Sequence, residues 1–424
     1  MRVCILGNDA YYTGQWLASA ANRHGVHPVA EDDNPECFWV TVSDVEDLKT
    51  LRQAKKKAAG RPVVAGGLCA MSGNGLALSY ADAVVVGEGE EFIAACGSGG
   101  LGAAMSLPCV VTKADPWKAA VPATKLDFNT SPVVQVTNHC WYALAARGCP
   151  QHCNFCMTSW ATKHQRANDK RLEAIGAAVR AQDPRAQVTY ITNYSRGLPG
   201  RKRGAQSFLL KEYLANPSEA DGLTLVRLGV EGMSEARREW LGKPITDEEL
   251  RAAIALAKDR HQQLELFFIV GFPGSNDEWR ELCDVALPVE DKKGCHLWVK
   301  YTYFNACPLT PLSRYDVTQL EQFDTPTAFR LAMARTQRYH DHRIQGMTKA
   351  LWRTVLHRAL WRDAEAVPAT PPKCAPDAFI VEMQRRGLGY TLAPGEGDVL
   401  PGEQVAMWNA KAREARAEQC KIGH

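Results

Sequence analysis

Short apolar runs alternate with amphipathic stretches from the first residue to about residue 315. In residues 1–105 the runs read RVCIL (2–6), CFWVTV (37–42), PVVA (62–65) and AVVV (83–86). Residues 14–23 and 44–58 carry helical spacing, with Ser43 as the expected N-cap of the second. Near-continuous Val runs joined by helices predict a parallel sheet covered on both faces, a doubly wound α/β domain. In such a domain a ligand sits at the carboxyl ends of the strands. Residues 106–132 contain four prolines and no clear period, and read as a linker.

A second series fills residues 133–315. Its expected strands are 142–146, 187–192, 224–229, 264–270 and 296–303, with helices at 169–182, 235–241, 246–260 and 276–286. Five strand–helix units predict a partial parallel β/α barrel. Residues 316–424 read as a C-terminal helical region, helical over 325–363, then Pro-rich, then ending in a charged helix.

Charge and cysteine usage narrow the class. No apolar run is long enough to span a membrane, and the N-terminus has no long apolar stretch of a signal peptide, so the expectation is a cytoplasmic protein. The net charge of +3 divides into −3 over residues 1–124 and +6 over the rest, which permits an anionic partner without requiring one. Fourteen cysteines in such a chain argue against a disulfide framework and for buried thiols or a metal site.

The chemistry concentrates in Ala146-Arg-Gly-Cys149-Pro-Gln-His-Cys153-Asn-Phe-Cys156, just after the first expected strand of the second series. Three thiolates at C-x3-C-x2-C spacing can hold three irons of a [4Fe–4S] cube and leave the fourth iron open. That iron can chelate the amino and carboxylate groups of S-adenosylmethionine. Electron transfer then breaks the sulfonium C–S bond, giving a 5′-deoxyadenosyl radical that abstracts hydrogen from carbon. Gly148 allows a tight turn, Pro150 stiffens the loop, and Phe155 can pack beside the cube. A zinc knuckle is the competing account, but His152 is a poorly placed fourth ligand and no second knuckle lies nearby. Three merely buried thiols are the other, although such close spacing more often marks a site.

The segment RGCPQHCNFC (147–156) resembles the cluster loop of the radical SAM superfamily, and its surroundings resemble the branch with an N-terminal cobalamin-binding-like domain. Further pieces keep the order of that branch: VAGG (64–67), ADAVVVGEGE (81–90), LGVE (228–231) followed by a helix and Gly242-Lys243, FIVGFPG (268–274), and FNACPLTP (304–311). The resemblance implies Cys149, Cys153 and Cys156 as cluster ligands and Glu231 facing the ribose or amino group of adenosylmethionine. It implies Ile269 and Gly271 against the adenine; Asn193 and Ser195, where Gly-Gly-Glu is usual, would bind the methionyl amine. As plain residues, Glu231 is equally a strand-end partner in an ion pair and Gly271 a tight turn. The implied cofactors are the [4Fe–4S] cluster and S-adenosylmethionine, with an external one-electron reductant of the flavodoxin or ferredoxin type.

Departures from the pattern bear on the reaction. Where cobalamin domains of this kind offer Asp-x-His-x-x-Gly, the chain reads Asp9-Ala-Tyr11-Tyr12-Thr13-Gly14. A tyrosine in place of the histidine weakens the case for cobalamin, though cobalt can be bound without a protein ligand. Without a corrinoid, methyl transfer loses its carrier and rearrangement after hydrogen abstraction gains. Cys4, Cys37 and Cys69 invite comparison with methylthiotransferases, which hold a second cluster there, but buried core thiols account for them better. Cys283, Cys295 and Cys307 read as core or loop residues, and His340 and His342 around Asp341 as a surface pair or an acid–base pair.

Two basic regions point toward a nucleotide or nucleic-acid substrate: Arg196, Arg201, Lys202 and Arg203 in a Gly/Pro-rich loop, and residues 335–362, where cations interleave with Tyr339, Trp352 and Trp361. The resulting expectation is a radical SAM enzyme that rearranges or modifies its substrate. The alternatives are a cobalamin-dependent C-methyltransferase, a methylthiotransferase-like RNA modifier and a non-catalytic iron–sulfur module.

Overall fold

The computed structural model describes residues 1–7, 13–72, 77–115, 120, 123, 128–129, 131–161, 164–191, 205–287, 297–324, 326–334, 340–359, 366–368, 370–396 and 398. The first region builds a six-stranded sheet. It runs from β1 (Arg2–Gly7) through helix α1 (Thr13–Arg23), β2 (His27–Pro28) and β3 (Cys37–Thr41) to α2 (Leu48–Ala58). It continues with β4 (Val63–Gly66), α3 (Leu68–Ser72), β5 (Ala83–Val85), α4 (Glu90–Met105) and β6 (Val110–Thr112). The spatial order is β2-β1-β3-β4-β5-β6, parallel except for β6, so the order reverses between β1 and β3. All five residues of β3 are buried, as a strand covered on both faces requires. Edge strand β6 comes from the stretch read as a linker.

The expected cap at Ser43 moves by one residue. Asp44 accepts from the Glu46 N–H at 2.9 Å while Asp47 accepts from the Asp44 N–H at 3.0 Å. This capping box closes a short 3-10 turn, Val45–Asp47, that leads into α2.

In the second region, β7 (Val133–Thr137) and β8 (Cys140–Leu144) pair antiparallel, then β9 (Ala146–Arg147) leads to α5 (Met157–Ala161), β10 (Gln165–Arg166), α6 (Asp169–Gln182) and β11 (Gln187–Ile191). Strand β11 joins β8 in parallel to complete a three-stranded sheet. A five-stranded parallel sheet follows, ordered β12-β13-β14-β15-β16. Its strands and helices are β12 (Ala205–Phe208), α7 (Leu210–Ala215), β13 (Leu225–Glu231), α8 (Glu235–Trp240), α9 (Asp247–Asp259), β14 (Gln263–Val270), α10 (Ser275–Ala286) and β15 (Leu297–Tyr303). Then come α11 (Thr327–Ala334), β16 (His340–Gln345), α12 (Met347–Arg358) and α13 (Pro376–Arg385). Among the described residues the two sheets stay separate, an open β/α arrangement rather than a closed barrel.

One face of the larger sheet, with Val226, Leu228, Leu266, Phe268, Val299 and Tyr301, is buried in the main core. The alternate positions, such as Arg227, Glu231, Phe267 and Lys300, face the other way and carry the polar chemistry.

Strand β16 corrects the expectation of helix over 325–363. Residues 340–345 pair in parallel with β15, from Trp298↔His340 to Thr302↔Gln345. An open sheet edge offers unpaired backbone groups whose satisfaction outweighs local helical spacing. The basic patch is corrected too. Arg358 is buried and donates to the carbonyls of Ser313, Tyr315, Thr391 and Leu392. Arg353 reaches Asp44 at 2.6 Å and Glu46 at 2.8 Å, Lys349 pairs with Glu46 at 2.8 Å, and the buried Trp352 donates to the Pro368 carbonyl. Arg353 and Lys349 clasp α12 to the first region and Arg358 clasps it to residues 313–315 and 391–392, so all three cations have protein partners. Arg335, Arg338, Tyr339, Trp361 and Arg362 lie outside the described residues, as do Arg196, Arg201, Lys202 and Arg203.

Candidate functional site

The cysteine loop leaves β9 through Gly148, whose φ of 68° is the tight turn expected there, and ends at α5. Backbone and side-chain bonds fasten it. Asn154 donates its N–H to the Leu241 carbonyl at 2.9 Å and its Nδ2 to the Trp240 carbonyl at 2.7 Å. Trp160 Nε1 donates to the Cys153 carbonyl at 2.9 Å, and Ser159 Oγ to the Cys156 carbonyl at 3.2 Å. Phe155 packs on the main core, and Cys153 is buried while Cys149 and Cys156 are half-buried.

The three thiols feel one another. Burial pushes Cys153 up to about 11, with Cys156, Glu231 and Cys149 adding to it and Lys243 opposing. Burial likewise raises Cys149, and Cys156 and Glu212 add to that. Among the described residues no three His, Cys, Asp or Glu side chains form an assembled metal cage. The donor set still fits a cluster: three soft sulfur donors within eight residues, in a low-dielectric pocket beside one cation.

That cation is Lys243, which the sequence placed after α8 without a role. Its Nζ donates to the Gly229 carbonyl at 2.7 Å and to Glu231 Oε1 at 3.2 Å. Burial alone would lower it, yet Glu231, Cys153 and Cys156 hold it above its ordinary value, so it stays charged. Glu231 ends β13 just past a register shift, in the left-handed region at φ 70°. A Cβ at Gly229 would stand 2.5 Å from Glu231 Oε1 and 2.9 Å from Lys243 Nζ, so a larger residue there would shift the ends of this pair. The ion-pair reading of Glu231 is therefore realised in the structure, next to the cysteine loop.

Glu231 and Lys243 line a cavity of about 380 Å³, together with Glu212, Arg227, Phe208, Phe267 and Phe268. Below the rim, Glu265 is buried and takes Arg227 Nε at 2.7 Å and Lys300 Nζ at 2.6 Å. Glu212, Arg227, Glu265 and Lys300 escaped the sequence reading. For Arg227, Glu265 and Lys300 the available signal was a charge within each of three largely apolar strands on the same face; Glu212, on helix α7, gave none.

Other expected residues fall elsewhere. At β14 the cavity wall is Phe267 and Phe268 rather than Ile269 or Gly271. Gly271, at φ 102°, has Tyr303 where its Cβ would be, 2.8 Å to the ring, which supports the tight-turn account. Asn193 and Ser195 lie outside the described residues, and so do Asp9 through Tyr12. Cys4, Cys37 and Cys69 are buried in the first region's packing, with Cys37 pushed up to about 12 by burial. Cys283 is buried in the main core, and Cys307 lies 3.9 Å from His357 Nε2. Cys295 lies outside the described residues; His340, Asp341 and His342 lie on β16 opposite Trp298, Val299 and Lys300.

A second cavity, about 310 Å³, opens at the carboxyl edge of the first sheet, lined by Trp16, Thr41, Gly66, Gly89 and Phe92. Arg147, Gly148 and Thr158, from the cysteine loop and its flanks, form its far wall. Arg147 sits over the Trp16 ring at 5.9 Å and 3.8 Å from Glu88. A Cβ at Gly66 or Gly89 would meet nothing within 4 Å, so both face open space. A glycine-floored crevice at a doubly wound sheet's carboxyl edge is the place where such a domain takes a ligand.

No family model matches the chain, and no curated protein does. The fold is similar to that of the radical S-adenosylmethionine methyltransferase TsrM from Kitasatospora setae, solved with tryptophan substrate and the SAM analogue aza-SAM. The TM-score is 0.52 at 12% identity, covering 75% of this chain and 76% of that one. A structure of the same enzyme with cobalamin and a [4Fe–4S] cluster bound matches at 0.52 and 11% identity, covering 75% of each chain. A weaker likeness, at 0.49 and 13% identity over 67% of this chain and 51% of that one, is to the cobalamin-dependent S-adenosylmethionine radical enzyme OxsB. Identity at this level speaks for the fold, and the chain has the fold of the radical SAM enzymes whose N-terminal domain is of the cobalamin-binding type.

Proposed function

We propose that the chain is a radical SAM enzyme that transfers a methyl group with a corrinoid as carrier. One observation carries this reading: the cavity at the first sheet's edge and the cysteine loop share a wall, made by Arg147, Gly148 and Thr158. The likeness to TsrM, a radical SAM methyltransferase solved with cobalamin and a [4Fe–4S] cluster bound, supports it. Rearrangement of a nucleotide-type substrate, the expectation from sequence, loses support because Lys349, Arg353 and Arg358 are taken by protein partners.

In this reading residues 1–105 with β6 would hold the corrinoid and residues 133–315 the cluster, while α12 buttresses the first region through Asp44 and Glu46. Cys149, Cys153 and Cys156 hold the cluster. When bound, the cluster supplies one-electron cleavage of the sulfonium and the corrinoid supplies a methyl carrier. The chain's own contribution is positional and electrostatic. Lys243 places a charged ammonium beside the thiols, offsetting the mutual repulsion of three thiolates. Glu231 keeps Lys243 in place, and Phe208, Phe267 and Phe268 limit water in the cavity. The electron comes from a flavodoxin- or ferredoxin-type donor.

The test is a labelled turnover. Protein from cells supplied with hydroxocobalamin is reconstituted anaerobically, reduced, and given S-adenosylmethionine with a deuterated methyl group and an extract of the source cells. Corrinoid retained through purification and a deuterated product are expected. Corrinoid-free protein that still releases 5′-deoxyadenosine with an unlabelled, isomeric product would restore the rearrangement reading.

A further inference from the structure

Part of the cysteine loop and its surroundings faces solvent and lines neither cavity: His152, Trp160 and Trp240. His152 is exposed, Trp160 is 41% exposed and Trp240 39% exposed. Among the described residues Val381 is the only other large apolar side chain left so open. Both tryptophans are tied to consecutive residues of the loop. Trp160 Nε1 donates to the Cys153 carbonyl at 2.9 Å, and the Trp240 carbonyl accepts from Asn154 Nδ2 at 2.7 Å. Their rings are held edge-on by neighbours, Trp160 against His152 at 5.3 Å between centroids and Trp240 against Phe272 at 4.9 Å.

Exposed aromatic rings that are already fixed lose little freedom when a partner covers them, and tryptophans of this kind anchor protein interfaces. Their position says which partner. Cys153 is buried, so a protein electron carrier cannot touch its sulfur, whereas Trp160 joins the backbone of that residue to the surface through one hydrogen bond. We infer that His152, Trp160 and Trp240 form the docking face for a flavodoxin-type carrier, the apolar edge of its FMN ring lying against the indoles. A flavin presents a flat aromatic edge, which edge-on indoles accept, and this selects it over an iron–sulfur carrier. The exchange is of one electron. The anionic, fully reduced flavin gives it up and becomes the neutral form oxidised by one electron, the metal centre of the loop is reduced by one, and no proton moves. The inference rests on the reading of the loop as a cluster site and adds to it the place where the electron enters.

The experiment measures docking apart from turnover. Full-length protein, reconstituted anaerobically, is titrated calorimetrically with an oxidised bacterial FMN flavodoxin and, in parallel, with a bacterial ferredoxin. Trp240→Ser and His152→Glu, both checked for wild-type circular dichroism, should each weaken flavodoxin binding by about tenfold, as loss of an interface anchor does. Val381→Ser, on α13, should leave it unchanged. Bound flavodoxin should slow amide hydrogen exchange in residues 151–161. Dithionite needs no docking face, so bleaching of the wild-type visible absorbance by dithionite tests the cluster reading by itself: a chain that dithionite does not bleach fails there, whatever the carrier does. Flavodoxin that does not bind the wild type, that binds both variants as well as the wild type, or that slows exchange only outside residues 151–161 overturns the inference. Ferredoxin binding that falls in the variants while flavodoxin binding does not overturns the choice of a flavin carrier.

Discussion

Helix α12 and the polar face of the five-stranded sheet use the same residue types and treat them in opposite ways. On α12, Arg358 spends its guanidinium on four different carbonyl groups, and Arg353 on two carboxylates. On the sheet, Arg227 bonds a protein partner only through Nε and keeps a side chain 39% exposed, and Glu212 on α7 nearby has no partner among the described residues. Helical spacing of cations with interleaved tryptophans looked like a nucleic-acid surface, whereas single charges in apolar strands looked like nothing. The lesson is that a charged residue points to function by what the fold leaves unpaired around it.

The largest break in that comparison should come from Arg358→Met. Removing a buried guanidinium with carbonyl partners on two segments, 313–315 and 391–392, should cost about 3–5 kcal/mol in urea unfolding, and no nucleic acid should restore it. A loss near zero would mean that α12 is not the structural side of the contrast.

A pH effect should come next, from His357 one residue away. Burial, with Arg353 and Arg358 adding, pulls this imidazole down to about 3, so it stays neutral in the folded chain. The unfolded chain takes up the proton near pH 6.5 and the folded one does not. Stability should therefore fall as pH drops from about 6.5 toward 3, by at most about 1.4 kcal/mol per unit. His357→Gln should flatten that slope in denaturant titrations at pH 7, 6 and 5. An unchanged slope would locate the acid sensitivity elsewhere.

Glu212→Gln should act with the opposite sign. Neutralising a carboxylate that has no partner removes a desolvation penalty, so the ligand-free protein should gain about 1 kcal/mol and a raised melting temperature. Destabilisation would show that Glu212 is paired in solution. The smallest effect should be none at all: Lys349→Glu, paired in the structure with Glu46, should leave DNA and RNA affinity at low salt unchanged.

Much of the fold was legible because its periods are strong. Runs such as CFWVTV and LELFFIV have only one use in a sheet buried on a face, and strands β3, β4, β13, β14 and β15 lie within two residues of the expected bounds. The strands that escaped are those whose pairing is a tertiary matter: β2 has two residues, β6 and β7 pair antiparallel at edges, and β16 is a polar run accepted by an open edge. The cysteine loop was legible because its chemistry is local, three thiols in eight residues. Lys243, Glu212 and the Arg227–Glu265–Lys300 triad were not, since each acquires its partners or its cavity only when separate strands and helices come together.

The central claim is that the cysteine loop carries a cluster with one iron open to a ligand. Wild-type protein and Cys156→Ala are reconstituted anaerobically with iron and sulfide, assayed for both, then reduced and mixed with S-adenosylmethionine. The account predicts matched iron and sulfide in the wild type, a reduced-cluster paramagnetic signal perturbed by S-adenosylmethionine, and 5′-deoxyadenosine release. Cys156→Ala should lose that release while remaining folded. A wild-type chain that takes up zinc but no sulfide, or that holds a cluster indifferent to S-adenosylmethionine, would contradict it.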